Sequence, residues 1–362
     1  MPADEMRESQ DVAEIPAEYE RHAKVMASQV EEFKRIARLI GEASTIAVCA
    51  HTAPDGDAIG SVLALAELIE NMWPEKSVAR LLADDDVVPR PYRFLPRSED
   101  MIPACVYDET PDLFVCVDLS SPGRLALARP VMERSAHVAV LDHHPTDESF
   151  WDAGVVRPDA AAAGVIVTEF ARYVHVSLTP TMAQCLLCAL MTDTGCFQYQ
   201  NANGEAFRVA STLVDAGASP SDIALNVYQS DRLSYLHLCS TVLGRITTFE
   251  HGRVAYSYAT SADFAATGVP LSECDGLIDI VRRVEGCEVA LFLKEVPGNQ
   301  VRGNLRSKSD FDVSGIARAM GGGGHRAAAG FTVDGDVDST LSKILPMLHA
   351  ALTKTNNEEA QS

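Results

Sequence analysis

Leu141-Asp142-His143-His144-Pro145 places an acid and two adjacent histidines directly after an apolar run, His137 to Leu141, with the length and composition of a buried strand. Proline then ends the strand. Open α/β sheets bind ligands at the carboxyl ends of their strands, where side chains of this kind can hold a metal. A histidine pair has a plain alternative, a polar loop. Its weight therefore depends on whether other buried runs end the same way, and three do.

The first is Thr45 to Ala50, which leads into His51-Thr52-Ala53-Pro54-Asp55-Gly56-Asp57-Ala58-Ile59-Gly60-Ser61 and then a helix with Val62, Leu65, Ala66 and Ile69 inward. An isolated Asp-Gly-Asp reads as a turn with a helix cap. Three ligand-type side chains within seven residues at a strand's end point instead to a cation. Hard divalent cations take carboxylate oxygens, and manganese also accepts imidazole. Gly56 and Gly60 are expected to bend the backbone between ligands. The second run, Asp112 to Val117, ends at Asp118, either a helix cap or a bridge between two metals. The third, Met182 to Met191, leads to Asp193, with Gly195 giving a tight turn.

Ser77 to Ala83 reads as a further strand, and Val30 to Ile40, Ala163 to Tyr173 and Glu205 to Ala216 as helices. This alternation predicts an α/β domain with a doubly wound, mainly parallel sheet. Such a sheet would gather His51, Asp55, Asp57, Asp118, His143, His144 and Asp193 at one edge. Two metals sharing a carboxylate are the simplest chemistry for so many ligands. The Pro-rich stretch from Asp84 to Asp108 reads as a surface excursion without chemistry, and its Asp84-Asp85-Asp86 run as solvated.

A chain of 362 residues has room for two domains, and 47% hydrophobic with 22% charged residues reads as soluble and globular. No run reaches the roughly 18 apolar residues of a membrane helix. The acidic start, MPADEMRESQDVAEIP, lacks the apolar segment of a signal peptide. The expectation is a cytoplasmic protein with no membrane association, its nine cysteines held as thiols. Cys185 and Cys188 lie in an apolar run that reads as a buried helix. A net charge of −21 argues against coating long duplex nucleic acid and leaves small phosphorylated substrates open.

Gly217, Ser219 and Pro220 break the helical pattern, so 218–236 is expected to be a linker. Two runs joined at His251-Gly252 then read as a hairpin opening a second domain. Leu277 to Val284 reads as a helix, and Cys287 to Glu295 and Gln300 to Arg306 as strands. The run Gly321 to Gly324, followed by His325 and Arg326, lets backbone approach a ligand closely, and its N–H groups can nest a phosphate. A glycine run alone is often a flexible loop. With Arg302, Arg306 and Lys308 before it, the segment reads as a nucleotide grip.

HTAPDGDAIGS from His51, VDLSS from Val117, LDHHP from Leu141 and MTDTGCFQY from Met191, in this order, resemble the signature motifs of the DHH phosphoesterases. GGGGH after NLRS resembles the substrate-binding domain of the DHH enzymes that act on nucleotides. The resemblance covers nearly the whole chain. It implies two Mn2+ ions per site, with Mg2+ or Co2+ as alternatives: His51, Asp55 and Asp118 at one, and Asp57, Asp118, His143 and Asp193 at the other. His144 would face the phosphate and Asp142 would orient the histidines. Arg302, Asn304, Arg306, Ser307, Gly322, Gly323, Gly324 and His325 would bind substrate on a smaller α/β domain with a mixed sheet, which would close over the substrate.

The compact two-domain length is similar to the group of oligoribonucleases (nanoRNases) that are also pAp phosphatases, pAp being 3′-phosphoadenosine 5′-phosphate. The implied partners are short RNA oligonucleotides such as pApA and nucleotide phosphates, with homodimerisation expected from the same resemblance. Cyclic-di-AMP phosphodiesterase activity and a non-catalytic nucleotide sensor are the alternatives. Asp147 where relatives have Asn, Ala161-Ala162-Ala163-Gly164 where they often have Ser or Thr, and NLRS for SLRS are departures on the substrate side. The expected organisation is an acidic arm at 1–26, the DHH domain at 27–217, the linker, the second domain at 237–355 and a polar tail at 356–362.

Overall fold

The computed structural model describes residues 17–359 except 275 and 325, with side chains from 28 to 353. The chain divides into two compact units after Ser230. In chain order the first contains α1 (Ala17–Glu42), β1 (Thr45–Cys49), α2 (Gly56–Met72), β2 (Ser77–Leu82), β3 (Met101–Pro103), β4 (Leu113–Val117), α3 (Arg129–Arg134), β5 (His137–Asp142), β6 (Ala153–Val156), α4 (Ala163–Tyr173), α5 (Pro180–Asp193), α6 (Gly204–Asp215) and α7 (Pro220–Tyr228).

The six strands are all parallel, in the order β3-β2-β1-β4-β5-β6. Both sheet faces are buried, which is why the strands read as nearly continuous apolar runs. Ile46, Val48, Val115, Val117 and Leu141 pack under the α1, α2, α4 and α5 side. Ala47, Cys49, Phe114, Cys116 and Val140 face Leu125, Val131 and Met132 on the other. Strand order reverses between β1 and β4, the point at which open α/β sheets form a ligand crevice. There Cys49 is in register with Cys116, so His51 and Asp118 leave the sheet at the same height.

Asp193 ends the buried helix that the run around Cys185 and Cys188 suggested: Thr179 caps α5, Pro180 sits in its first turn, and the run is apolar all round because it is buried between neighbours. Other expectations change. Gly56 and Gly60 lie inside α2, and they admit α5 rather than bend a turn. A Cβ on Gly60 would stand 2.3 Å from the Cys185 carbonyl oxygen, and one on Gly56 would stand 2.5 Å from Thr192. The stretch read as a linker, 218–236, holds α7, which Ser219 caps and Pro220 starts, and the division between the two units falls inside it. Helix α1 likewise begins within the stretch read as an arm; residues 1–16 of that arm and the last residues of the tail lie outside the described residues.

The second unit contains α8 (Leu233–Gly244), β7 (Thr247–Phe249), β8 (Val254–Ala259), α9 (Ser261–Thr267), α10 (Leu277–Arg282), β9 (Val289–Val296), β10 (Gln300–Ser307), α11 (Val313–Ala319), β11 (Gly323–Gly324), β12 (Ala328–Asp334) and α12 (Val337–Glu359). Its sheet runs β11-β12-β10-β9-β8-β7 and is mixed: β8 and β9 are parallel and the other pairs antiparallel. Residues of α8 and α10 pack with Ala255, Ala290 and Phe292 on one face. On the other, α11 and α12 pack with Leu291, Leu293, Leu305 and Phe331. Among the described residues no helix is long and apolar enough to cross a membrane.

Candidate metal centre

The turn after β1 supplies His51 and Asp55, and the first turn of α2 supplies Asp57. Asp55 is also the N-cap of that helix: its Oδ1 accepts from the N–H groups of Asp57 and Ala58, both at 3.0 Å. Cap and ligand are thus compatible roles for one carboxylate. Asp118 leaves β4 at φ +55, a backbone region that a non-glycine residue holds only when its surroundings enforce it. Its N–H donates to the Leu141 carbonyl at 3.0 Å, which pins it beside the end of β5.

Ligand-type atoms of His51, Asp55 and Asp118 lie within 4.8 Å of one another, as do those of Asp57, His143 and Asp193, and those of Asp118, Asp142, His143 and His144. Asp118 joins the groups. Its Oδ2 is 3.2 Å from His51 Nε2, and its Oδ1 is 3.3 Å from His143 Nε2. His143 Nε2 is also 3.7 Å from Asp57 Oδ2 and 3.8 Å from Asp193 Oδ2. Among the described residues, buried Asp118 Oδ1 and His143 Nε2 have no aligned hydrogen-bond partner despite this crowding. Atoms that are close yet not aimed at each other converge on a common point, as donors to a cation do.

Electrostatics agrees. Burial and the neighbouring Asp118 raise the Asp57 carboxyl to about 7. Burial and Asp57 push Asp193 well above the usual carboxylate range. Burial draws the imidazoles down, but Asp118 and the other acids outweigh it, lifting His51 to about 9 and His143 to about 11. Burial would raise Asp118, but His143 and His51 hold it low. Packed acids that resist ionisation want added positive charge. The oxygen and imidazole donor set suits a hard or borderline divalent ion.

Several supporting groups were not legible in the sequence. Asp57 accepts from the N–H groups of Ala163 (2.6 Å) and Gly164 (2.9 Å) and from the Ser61 hydroxyl (3.0 Å). Asn201 donates to the carbonyls of Ala161 and Asp193. Asp142 does not orient both rings. Its Oδ1 lies 2.9 Å from His144 Nδ1 and accepts the His143 N–H, whereas His143 Nδ1 sits 3.2 Å from the Ala160 carbonyl. Asp84 was read as solvated; it bonds the His51 turn.

In the second unit, Arg302, Asn304 and Arg306 alternate with buried Val301, Gly303 and Leu305 and therefore share one face of β10. Opposite them on β12 stand only Thr332, Gly330 and Ala328, so that part of the face has a low floor. Ser307 is placed otherwise: it is buried, and its hydroxyl donates to Ser309 O at 2.9 Å to close a turn. Lys308 caps the end of α10 through the carbonyls of Arg282 and Val284, and Arg326 is tied to Asp310 O. Of the glycines, Gly322 and Gly324 are demanded by close approach to β12, where a Cβ would meet Gly330 O at 2.1 Å and Ala328 O at 2.6 Å. A Cβ on Gly323 would stand in open space. His325 lies outside the described residues.

Residues 45–190 match the DHH family, N-terminal domain, and residues 251–354 the DHHA1 domain. The chain is 31% identical over 315 residues to the bifunctional oligoribonuclease and PAP phosphatase NrnA of Thermus thermophilus, covering 85% of this chain and 90% of that protein. It is 24% identical over 299 residues to the protein of the same name from Bacillus subtilis, covering 82% and 91%. The crystal structure of an exopolyphosphatase-related protein from Bacteroides fragilis shares the fold with a TM-score of 0.81 at 23% identity, covering 90% and 96% of the two chains. The strand-end acids and histidines, the two matched domains and the Thermus relative together establish that this chain belongs to the DHH family of phosphoesterases, hydrolases that act on phosphoester bonds.

Proposed function

We propose that this chain is a manganese-dependent phosphoesterase that cleaves short oligoribonucleotides, including pApA, to mononucleotides and removes phosphate from pAp. The observation that carries the reading is Asp118, a buried carboxylate offering one oxygen to His51 and the other to His143. Relatives named for both activities align over most of this chain. The net charge of −21 favours short substrates over long strands.

His51, Asp55 and Asp118 would hold one divalent cation, and Asp57, Asp118, His143 and Asp193 the second. Cations so held act as Lewis acids on the phosphoryl oxygens and lower the pKa of water. The protein's part is positional. Asp118 sets the spacing of the two groups, and the N–H groups opening α4 fix Asp57. Asp142 accepts from His144 Nδ1–H and so orients that ring to contact the phosphate or to protonate the leaving oxygen. Arg302, Asn304 and Arg306 supply side-chain contacts to the nucleotide, and Gly323 gives a backbone surface it can approach closely.

The test is product analysis with Mn2+ on pApA, a short RNA and pAp, with Asp118→Asn in parallel. The expected result is AMP from pApA, mononucleotides from the RNA and phosphate from pAp, all lost in the variant. Nucleotide binding without turnover of any substrate would replace this reading with a sensor.

A further inference from the structure

We propose that Asp84 is a positioning residue for the metal ligand His51, acting through a single peptide plane; this rests on reading His51 as a ligand. Ala53 sits at φ +52, in the left-handed region that L side chains rarely adopt. The peptide joining Thr52 to Ala53 is a rigid plane whose N–H and C=O point in opposite directions. At one end, Asp84 Oδ2 accepts the Ala53 N–H at 2.5 Å. At the other, the Thr52 carbonyl oxygen lies 2.8 Å from His51 Nδ1, which donates to it. The opposite ring nitrogen, Nε2, is the one that meets Asp118.

The second oxygen of Asp84 is also used, accepting from the Thr52 hydroxyl. The Thr52 N–H donates to the Arg124 carbonyl at 2.9 Å, so the turn is held from the loops after β2 and β4 together. The preceding residue is itself anchored, since the Ala83 carbonyl accepts from Leu127 N–H at 3.0 Å. Ligating histidines usually donate their other N–H to a carboxylate or a carbonyl, which fixes the ring and raises its basicity. Here both are joined in series: a carboxylate bonds an amide, and the amide's carbonyl accepts from the imidazole. Hydrogen bonds in such a chain polarise one another, so the Asp84 charge strengthens the bond at the far end. Asp84 also holds the left-handed turn that puts His51 and Asp55 on the same side.

The experiment is Mn2+ titration by calorimetry on the full chain, with thermal melting of each metal-free variant alongside. Asp84→Ala is expected to weaken Mn2+ binding about 10- to 100-fold, the usual effect of losing an outer partner of a ligand. Asp84→Asn, which keeps one acceptor oxygen but not the charge, falls between. Asp86→Ala removes the same charge from the same loop without touching the turn, and is expected to bind as wild type. Ala53→Gly added to Asp84→Ala recovers part of the loss, because glycine takes the left-handed conformation unaided. Wild-type affinity in Asp84→Ala overturns the proposal, as does an equal loss in Asp86→Ala. So does a loss in both Asp84 variants that only tracks lower melting temperatures and is not relieved by Ala53→Gly. A wild-type chain that binds no divalent cation overturns the ligand reading itself, a result separate from any of these.

Discussion

Asp118 concentrates the chemistry in one residue, because each of its oxygens faces a different histidine. Asp118→Asn keeps the volume and one acceptor but cannot carry charge to both groups. Hydrolysis is expected to fall by at least about two orders of magnitude, the scale of removing one preorganised electrostatic group. Metal analysis should show fewer than two ions per chain. The glycine run separates structural from functional glycines. Gly322→Ala puts a Cβ 2.1 Å from Gly330 O and should lower the melting temperature, whereas Gly323→Ala meets open space. Unchanged melting with a raised KM for pApA is expected of Gly323→Ala, and unchanged KM would remove Gly323 from the substrate site. At this scale the sequence showed what side-chain chemistry shows. His51, Asp55, Asp57, Asp118, His143 and Asp193 are brought together because each lies at or just beyond one end of a strand or helix of the first unit. Ala163, Gly164 and Ala160 contribute through backbone atoms, so side-chain chemistry gave no sign of them. Asp84 was hidden for another reason: its partners arrive from a strand neighbour more than thirty residues earlier.

Element packing explains where sequence patterns misled. Helices α2 and α5 touch so closely that Gly60 has no room for a methyl group. Gly60→Ala is expected to destabilise the chain by about 1–3 kcal/mol, as overpacking does, measured by denaturant unfolding. The same contact leaves α5 apolar on all sides, without the periodicity of a surface helix, and its run around Cys185 and Cys188 accordingly reads as a buried one. Ser219-Pro220 broke one helix and began another, so the same residues that suggested a linker are the start of α7. In the second unit, Thr260 and Asp263 form a capping box at the start of α9. The Arg245 guanidinium bonded to Asp263 holds that carboxyl down at about 2. A depressed carboxyl stabilises the fold above its unfolded value, about 3.9, and the contribution is lost as pH falls toward 2. Asp263→Asn should therefore be less stable than wild type at neutral pH, and the gap should close between about pH 4 and pH 2. A gap that stayed constant across that window would show that the charge is not the source.

For the whole molecule, the order β3-β2-β1-β4-β5-β6 makes the site, because its reversal sets the ends of β1 and β4 side by side. The parallel doubly wound sheet was legible from alternating buried runs and helices, but its strand order, β6, and β3 within the stretch read as a surface excursion were not legible. The strand β12, with its Ala-Gly-rich sequence, was not, since small residues lack the β-branched and aromatic signature of strands. Without metal, the surrounding acids raise His51 to about 9 and His143 to about 11 against the pull of burial. Protons therefore occupy those nitrogens at neutral pH, and metal must displace them. Metal affinity should rise with pH, and calorimetry in buffers of different ionisation enthalpy should show net proton release on binding; an affinity independent of pH would contradict this. The most direct test is hydrolysis of pApA by the full chain after exhaustive chelation and stepwise return of Mn2+. The account predicts no activity in the stripped protein, recovery that requires two equivalents of Mn2+, and no recovery in Asp118→Asn. Full activity in the stripped protein, or none at any Mn2+ level, would contradict it.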